Sequence, residues 1–156
     1  SHTVTKLRPW EPLSQPVACH PGLKPEGCCL SEDERTLFVS NRWSNTLSAI
    51  DTETMEVRLT VPSREDATRI YRAGNRLLVT NYGDRSVSVV DPATLQETGY
   101  VKMDARAIAL SLDPTRPLAY ISQDDDRVGV LDLQSLRFTR FIATQREPDV
   151  SRIVRI

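Results

Sequence analysis

One repeated position gathers the residues best suited to chemistry: Glu26, Asp66, Arg106 and Asp149 align at the start of successive repeats, giving three carboxylates and a guanidinium. Three positions further along, Arg69 and Arg152 align with Cys29 and Ala109. Drawn around a common axis, the carboxylates would suit a hard cation such as Ca²⁺ or a cationic ligand, with Arg106 as a local counter-charge. The bland alternative is that these groups pair with one another and with Arg69 and Arg152, holding neighbouring units in register. A second cluster, Cys19, His20, Cys28 and Cys29, carries ligand-type atoms but matches neither CxxC nor the CxxCH of haem attachment. Ordinary half-buried thiols in a strand are the plainer reading, so no cofactor is expected. His2 and His20 are the only histidines, which leaves little for a Ser-His-Asp or Cys-His arrangement. No Gly-rich phosphate loop, dinucleotide fingerprint or HExxH pattern occurs.

Composition narrows the partners. The 156 residues are 39% hydrophobic and 26% charged, the balance of a folded globular chain. Twenty Lys and Arg against 21 Asp and Glu leave a net charge of −1, which draws in neither nucleic acid nor anionic lipid. Trp10 and Trp43 could stack on a base or a sugar, but that alone is weak support for nucleic-acid binding. No stretch approaches the roughly 18 consecutive apolar residues of a membrane span.

The elements that must position these residues are written three times: LFVSNRWSNTLSAID (37–51), LLVTNYGDRSVSVVD (77–91) and LAYISQDDDRVGVLD (118–132). Their final aspartates, Asp51, Asp91 and Asp132, lie 40 and 41 residues apart (91 − 51, 132 − 91). Apolar residues alternate with a period of two and are rich in Val, Ile and Leu, so each unit reads as four short antiparallel strands. A four-stranded unit of about 40 residues is the size of one propeller blade. The fold class is therefore all-β, a partial β-propeller of four-stranded antiparallel blades. Residues 1–24 form an N-terminal arm with an outer strand near Val17 to His20, and blades occupy 25–64, 65–104 and 105–146. Residues 147–156 supply the first strand of a fourth. Asp51, Asp91 and Asp132 open tight turns whose backbone their carboxylates can bind, and Asn41 and Asn81, with Gln123 in the third unit, end the second strands. All five Asp and Asn positions are read as structural.

Val39-Ser40-Asn41 running to Ile50-Asp51, and Val79-Thr80-Asn81 running to Val90-Asp91, resemble the YVTN family of β-propeller repeats. Pro25-Glu26-Gly27 looks like the proline-x-glycine that opens the family's innermost strand, while the third copy departs with Gln123 and Gly129. The resemblance implies a bacterial protein, exported to the periplasm or cell surface, and rings of seven blades. It implies functions from scaffolding and ligand binding to oxidoreduction, so the fold does not choose among them. The expectation is a non-catalytic module offering its channel mouth to a small ligand or a protein. The alternatives are part of a propeller enzyme, an oxidoreductase or a cation-assisted lactone hydrolase, and single-stranded nucleic-acid binding. Three blades do not close a ring, so the expected partners are the remaining blades of a longer chain or a second copy, with the first favoured.

Overall fold

The computed structural model describes residues 2–11, 13–146 and 148. A short ribbon pairs β1 (Val4–Lys6) with β2 (Val17–Cys19). Three four-stranded antiparallel sheets follow in strict chain order. The first contains β3 (Pro25–Leu30), β4 (Thr36–Asn41), β5 (Thr46–Asp51) and β6 (Val57–Pro62). The second contains β7 (Ala67–Ala73), β8 (Arg76–Asn81), β9 (Ser86–Val90) and β10 (Glu97–Lys102), and the third β11 (Ala107–Leu112), β12 (Leu118–Gln123), β13 (Arg127–Asp132) and β14 (Arg137–Ala143). Arg42–Ser44, read as a plain turn, forms a single 3₁₀ turn.

The sheets stack face to face. Phe38, Leu47 and Ala49 of the first meet Ile70, Val79 and Val90 of the second, while Leu78, Val87 and Val89 on the second's other face meet Leu110, Ile121 and Leu131 of the third. The middle strands of the second sheet are thus covered on both faces, which is why their sequences are almost continuously apolar. The first strands lie side by side, β3 against β7 and β7 against β11, as wedges about an axis require.

Turn chemistry repeats with the sheets. Asp51 Oδ1 accepts from the backbone N–H groups of Glu53 and Thr54 at 2.8 Å, Asp91 from Ala93 at 2.8 Å, and Asp132 from Gln134 and Ser135 at 3.0 and 2.7 Å. Met55, Leu95 and Leu136, which close these turns, all take left-handed φ, between 53° and 61°. The bonds to Thr54 and Ser135 hold the Asp51 and Asp132 carboxyls below the ordinary range.

The ribbon obeys the same plan, although only β2 was expected as a strand. Cys19 pairs with Val4 as Val61 pairs with Leu47 and Val101 with Val87. Cys19, Val61 and Val101 are each 9% exposed. β1 and β2 therefore stand where the third and fourth strands of a preceding sheet would stand, with Val4 and Cys19 against Val39, Ile50 and Met55 of the first sheet. The expected strand over 147–156, with Asp149 and Arg152, lies outside the described residues apart from Pro148.

One repeat alignment must be corrected. Pro25 faces Asn41, Ala67 faces Asn81, and Ala107 faces Gln123, so the residues preceding them, Lys24, Asp66 and Arg106, are the true equivalents. Glu26 stands two positions further in. The cause is hairpin length: β7 turns into β8 through Gly74 and Asn75 alone, whereas β3 and β4 are joined by the five residues 31–35. A constant offset of 40 residues therefore slips by two in the first strand. Lys24 and Asp66 confirm the new register, with φ of 51° and 53°.

Candidate functional site

The mouth of the axis is built from two positions in each sheet. Lys24, Asp66 and Arg106 precede the innermost strands; Arg42, Tyr82 and Asp124 follow the second strands, directly after Asn41, Asn81 and Gln123. Backbone bonds join the two positions: the N–H groups of Arg42, Tyr82 and Asp124 donate to the carbonyls of Lys24, Asp66 and Arg106 at 3.0, 2.9 and 3.1 Å. All six side chains are thereby held at one rim.

Arg42 is the hub. Its Nη1 lies 3.4 Å from Glu26 Oε2 and its Nε 3.3 Å from Asp66 Oδ1, and these carboxylates, Asp66 foremost, push its pKa upward. Lys24 Nζ and Arg69 Nη1 approach the two oxygens of Glu26 at 3.7 and 3.6 Å. The structure thus joins Glu26, Asp66 and Arg69, but as ion pairs through Arg42, a residue that the sequence reading left in a turn. Arg42 of the first sheet and Arg106 of the third both lie over the ring of Tyr82 of the second, 5.3 and 4.9 Å from its centroid. Among the described residues Arg106 is otherwise lightly held: Asp124 Oδ2 stands 4.0 Å from its Nη1, and its buried Nε has no hydrogen-bond partner. Among the described residues the mouth sets four cations (Lys24, Arg42, Arg69, Arg106) against three carboxylates (Glu26, Asp66, Asp124). No group of three or more His, Cys, Asp or Glu converges there or elsewhere among the described residues.

Behind the mouth, Asn41 and Asn81 anchor buried hydroxyls. Asn41 Nδ2 donates to Thr46 Oγ1 and Ser48 Oγ at 3.1 and 2.9 Å, and Asn81 Nδ2 to Ser86 Oγ and Ser88 Oγ at 3.1 and 2.8 Å. The third sheet lacks this anchor, for the buried Gln123 Nε2 has no hydrogen-bond partner among the described residues. Gly129 occupies the position of Ser48 and Ser88, and a Cβ there would come within 2.5 Å of Gln123 Nε2. The longer amide fills the space that the missing side chain leaves, which accounts for both departures of the third copy.

The thiol cluster disperses. Cys19 is buried between the ribbon and the first sheet, His20 and Cys28 are exposed, and Cys29 faces the second sheet, where burial pushes its thiol up to about 12. Vicinal residues of a strand point to opposite faces, so Cys28 and Cys29 do not converge on one ion. Trp43 is exposed beside the mouth, with Lys24 Nζ 4.9 Å from its ring centroid, and Trp10 stands on the arm. No helix among the described residues is long and apolar enough to cross a membrane.

No protein-family model matches the chain, and no curated protein matches it. Solved structures do. Hydrazine synthase of Kuenenia stuttgartiensis superposes with a TM-score of 0.74 at 26% identity, over 81% of this chain and 38% of that one. The dihydro-haem d1 dehydrogenase NirN, solved in complex with DHE, gives 0.72 at 16% identity over 92% and 33%, and the WD40 repeats of RRP9 give 0.71 at 10% over 80% and 40%. The chain thus spans two fifths or less of the length of these proteins. What they share with it is the propeller fold rather than the YVTN family in particular. With its three sheets in chain order about an axis, this chain is a run of consecutive β-propeller blades.

Proposed function

We propose that the chain is a non-catalytic binding segment of a β-propeller, and that its channel mouth accepts an anionic group on a small ligand or a protein. The supporting observation is Arg106: stacked on Tyr82 and, among the described residues, 4.0 Å from its nearest carboxylate and with a buried Nε that has no hydrogen-bond partner, it keeps donors to spare. Glu26 and Asp66 already face guanidinium groups, which disfavours the cation that the sequence alone suggested for this rim. The remaining blades of a longer chain are the favoured partners, since Cys28 and Leu30 on the first sheet, and Ile142 on β14, stay exposed where a neighbouring blade would cover them. Calorimetric titration with citrate tests the mouth. Saturable binding that weakens about tenfold or more in Arg106→Gln is the expected result; no binding, or equal binding by the variant, overturns it.

A second reading, a propeller domain of an oxidoreductase, rests on the 26% identity to hydrazine synthase and on the likeness to a dihydro-haem d1 dehydrogenase. On that reading the mouth cations would hold the carboxylates of a tetrapyrrole. Titration with haemin, followed by absorbance, should then saturate at one equivalent and fail in Arg42→Ala. A spectrum that never departs from that of free haemin removes this reading.

A further inference from the structure

At the end of β7 and β11 away from the mouth, the second and third sheets part around a cavity of about 480 Å³, within the usual range of small-molecule sites. One wall is the tight β7–β8 hairpin, Arg72 to Arg76, with Gly74 at φ 62°; the other is the broader loop from Leu112 to Leu118, and the Leu133–Leu136 turn closes the outer side. Its origin can be read against the junction between the first and second sheets. There the cleft-facing positions carry Phe38 and Leu59, and Phe38 is 3% exposed. The register-equivalent residues of the second sheet are Leu78 and Gly99. Tyr71, which replaces Cys29, does not make up the volume here, because its hydroxyl is drawn toward the axis to accept from Leu110 N–H at 3.1 Å.

The chemistry of the walls is two-sided. Leu78, Val89, Leu112, Leu133 and Leu136 give an apolar floor, and Arg72, Arg76 and Arg116 stand over it with Asp113 as the single lining carboxylate. Arg116 and Asp113 neutralise each other: Nε donates to Oδ2 at 2.8 Å, and the carboxyl is held far below its ordinary range, chiefly by that guanidinium. Among the described residues Arg72 pairs only with Glu32, at 3.7 Å and 89% exposed, a pair that water largely screens. Arg76 spends one Nη1 bond on the Leu133 carbonyl at 3.1 Å. Two guanidinium groups thus face an apolar cleft with weak or no anionic partners of their own.

We propose that this cleft binds an amphipathic organic anion, its apolar body lying along the leucine floor and its carboxylate meeting Arg72 and Arg76. The site is independent of the mouth, which lies at the opposite end of the same strands. Calorimetric titration of the intact chain with sodium octanoate tests it, with octyltrimethylammonium as the apolar control of opposite charge. Saturable one-to-one binding of octanoate, much weaker binding of the ammonium, and a loss of about tenfold or more in Arg72→Gln/Arg76→Gln are expected. Leu78→Phe, which copies the residue of the sister junction, should also weaken binding by filling the floor. Arg106→Gln should leave octanoate affinity unchanged, which separates this site from the mouth. Absence of saturation, equal binding of both amphiphiles, or full affinity in the double-arginine variant on a folded chain overturns the proposal.

Discussion

Replacing Arg64 with Met tests whether the link between the first and second sheets is held by charge. Arg64 lies between β6 and β7 and reaches across to the second sheet, where Nε and Nη2 donate to the two oxygens of Glu97 at 2.7 and 2.8 Å. Nη1 lies 3.3 Å from Asp84 Oδ2, and the guanidinium sits 3.6 Å from the centroid of the Tyr100 ring. Removing one partner of a fully buried pair costs about 3–5 kcal/mol, whereas a solvated pair contributes about 0–1 kcal/mol. The side chains of Arg64, Glu97 and Asp84 are 29, 33 and 24% exposed, so this pair belongs between those limits. We take about 1.5–2 kcal/mol for the forked pair and about 0.5–1 kcal/mol for the stacking, with the Met stem preserving most apolar contact. Urea unfolding at pH 7 should therefore show Arg64→Met less stable by about 2–3 kcal/mol, with little change in the slope. A cycle with Glu97→Gln should give a coupling of about 1–2 kcal/mol. A loss under about 0.5 kcal/mol, or a coupling indistinguishable from zero, would refute the assignment of this link to the ion pair.

Three further outcomes follow from other contacts. Ile121, 0% exposed in the core between the second and third sheets, should cost about 2–5 kcal/mol when cut to Ala, read by the same urea titration. Acid should destabilise the protein through Glu97, lowered chiefly by its bonds from Arg64, and through Asp84, lowered against its burial by bonds from Ser86 and Lys102. A depressed folded pKa gives stability that is complete above the unfolded value, about 4, and is lost as pH falls through the folded one; Arg64→Met should flatten that slope. At pH 8 a disulfide reagent should label the exposed Cys28 first, with buried Cys19 and half-buried Cys29 following far more slowly, because burial raises the thiols of both. Three equally fast equivalents would contradict that burial.

The strands were legible because apolar residues recur wherever a sheet face is covered, and the middle pair of the second sheet, covered on both faces, must be written largely in Val and Leu whatever its neighbours. The turn aspartates were legible for a similarly local reason, since a carboxylate two residues from the N–H that it binds needs no distant partner. The mouth was only half visible. Glu26, Asp66 and Arg69 were singled out, but Arg42, Tyr82 and Asp124, which tie them together, follow strand ends and read as ordinary turn residues. A signal was present: the same position after Asn41, Asn81 and Gln123 carries a guanidinium, a phenol and a carboxylate in turn. The two-residue slip of Glu26 escaped notice because hairpin length, which no periodicity records, sets the register of the first strand. For a related reason the cleft between the second and third sheets could not be foreseen, as it depends on Leu78 and Gly99 standing where the first sheet has Phe38 and Leu59, an equivalence that only the strand register reveals.

Because each sheet packs only on the sheets before and after it, cohesion runs along this molecule as through a short pile of plates. The middle plate has a complete plate above and below, and each outer one has at most a two-stranded strip on its far side. Loosening at either end therefore removes a single junction and leaves the rest standing. Amide hydrogens of β8 and β9 should be the last to exchange with solvent deuterium, and those of β14 among the first.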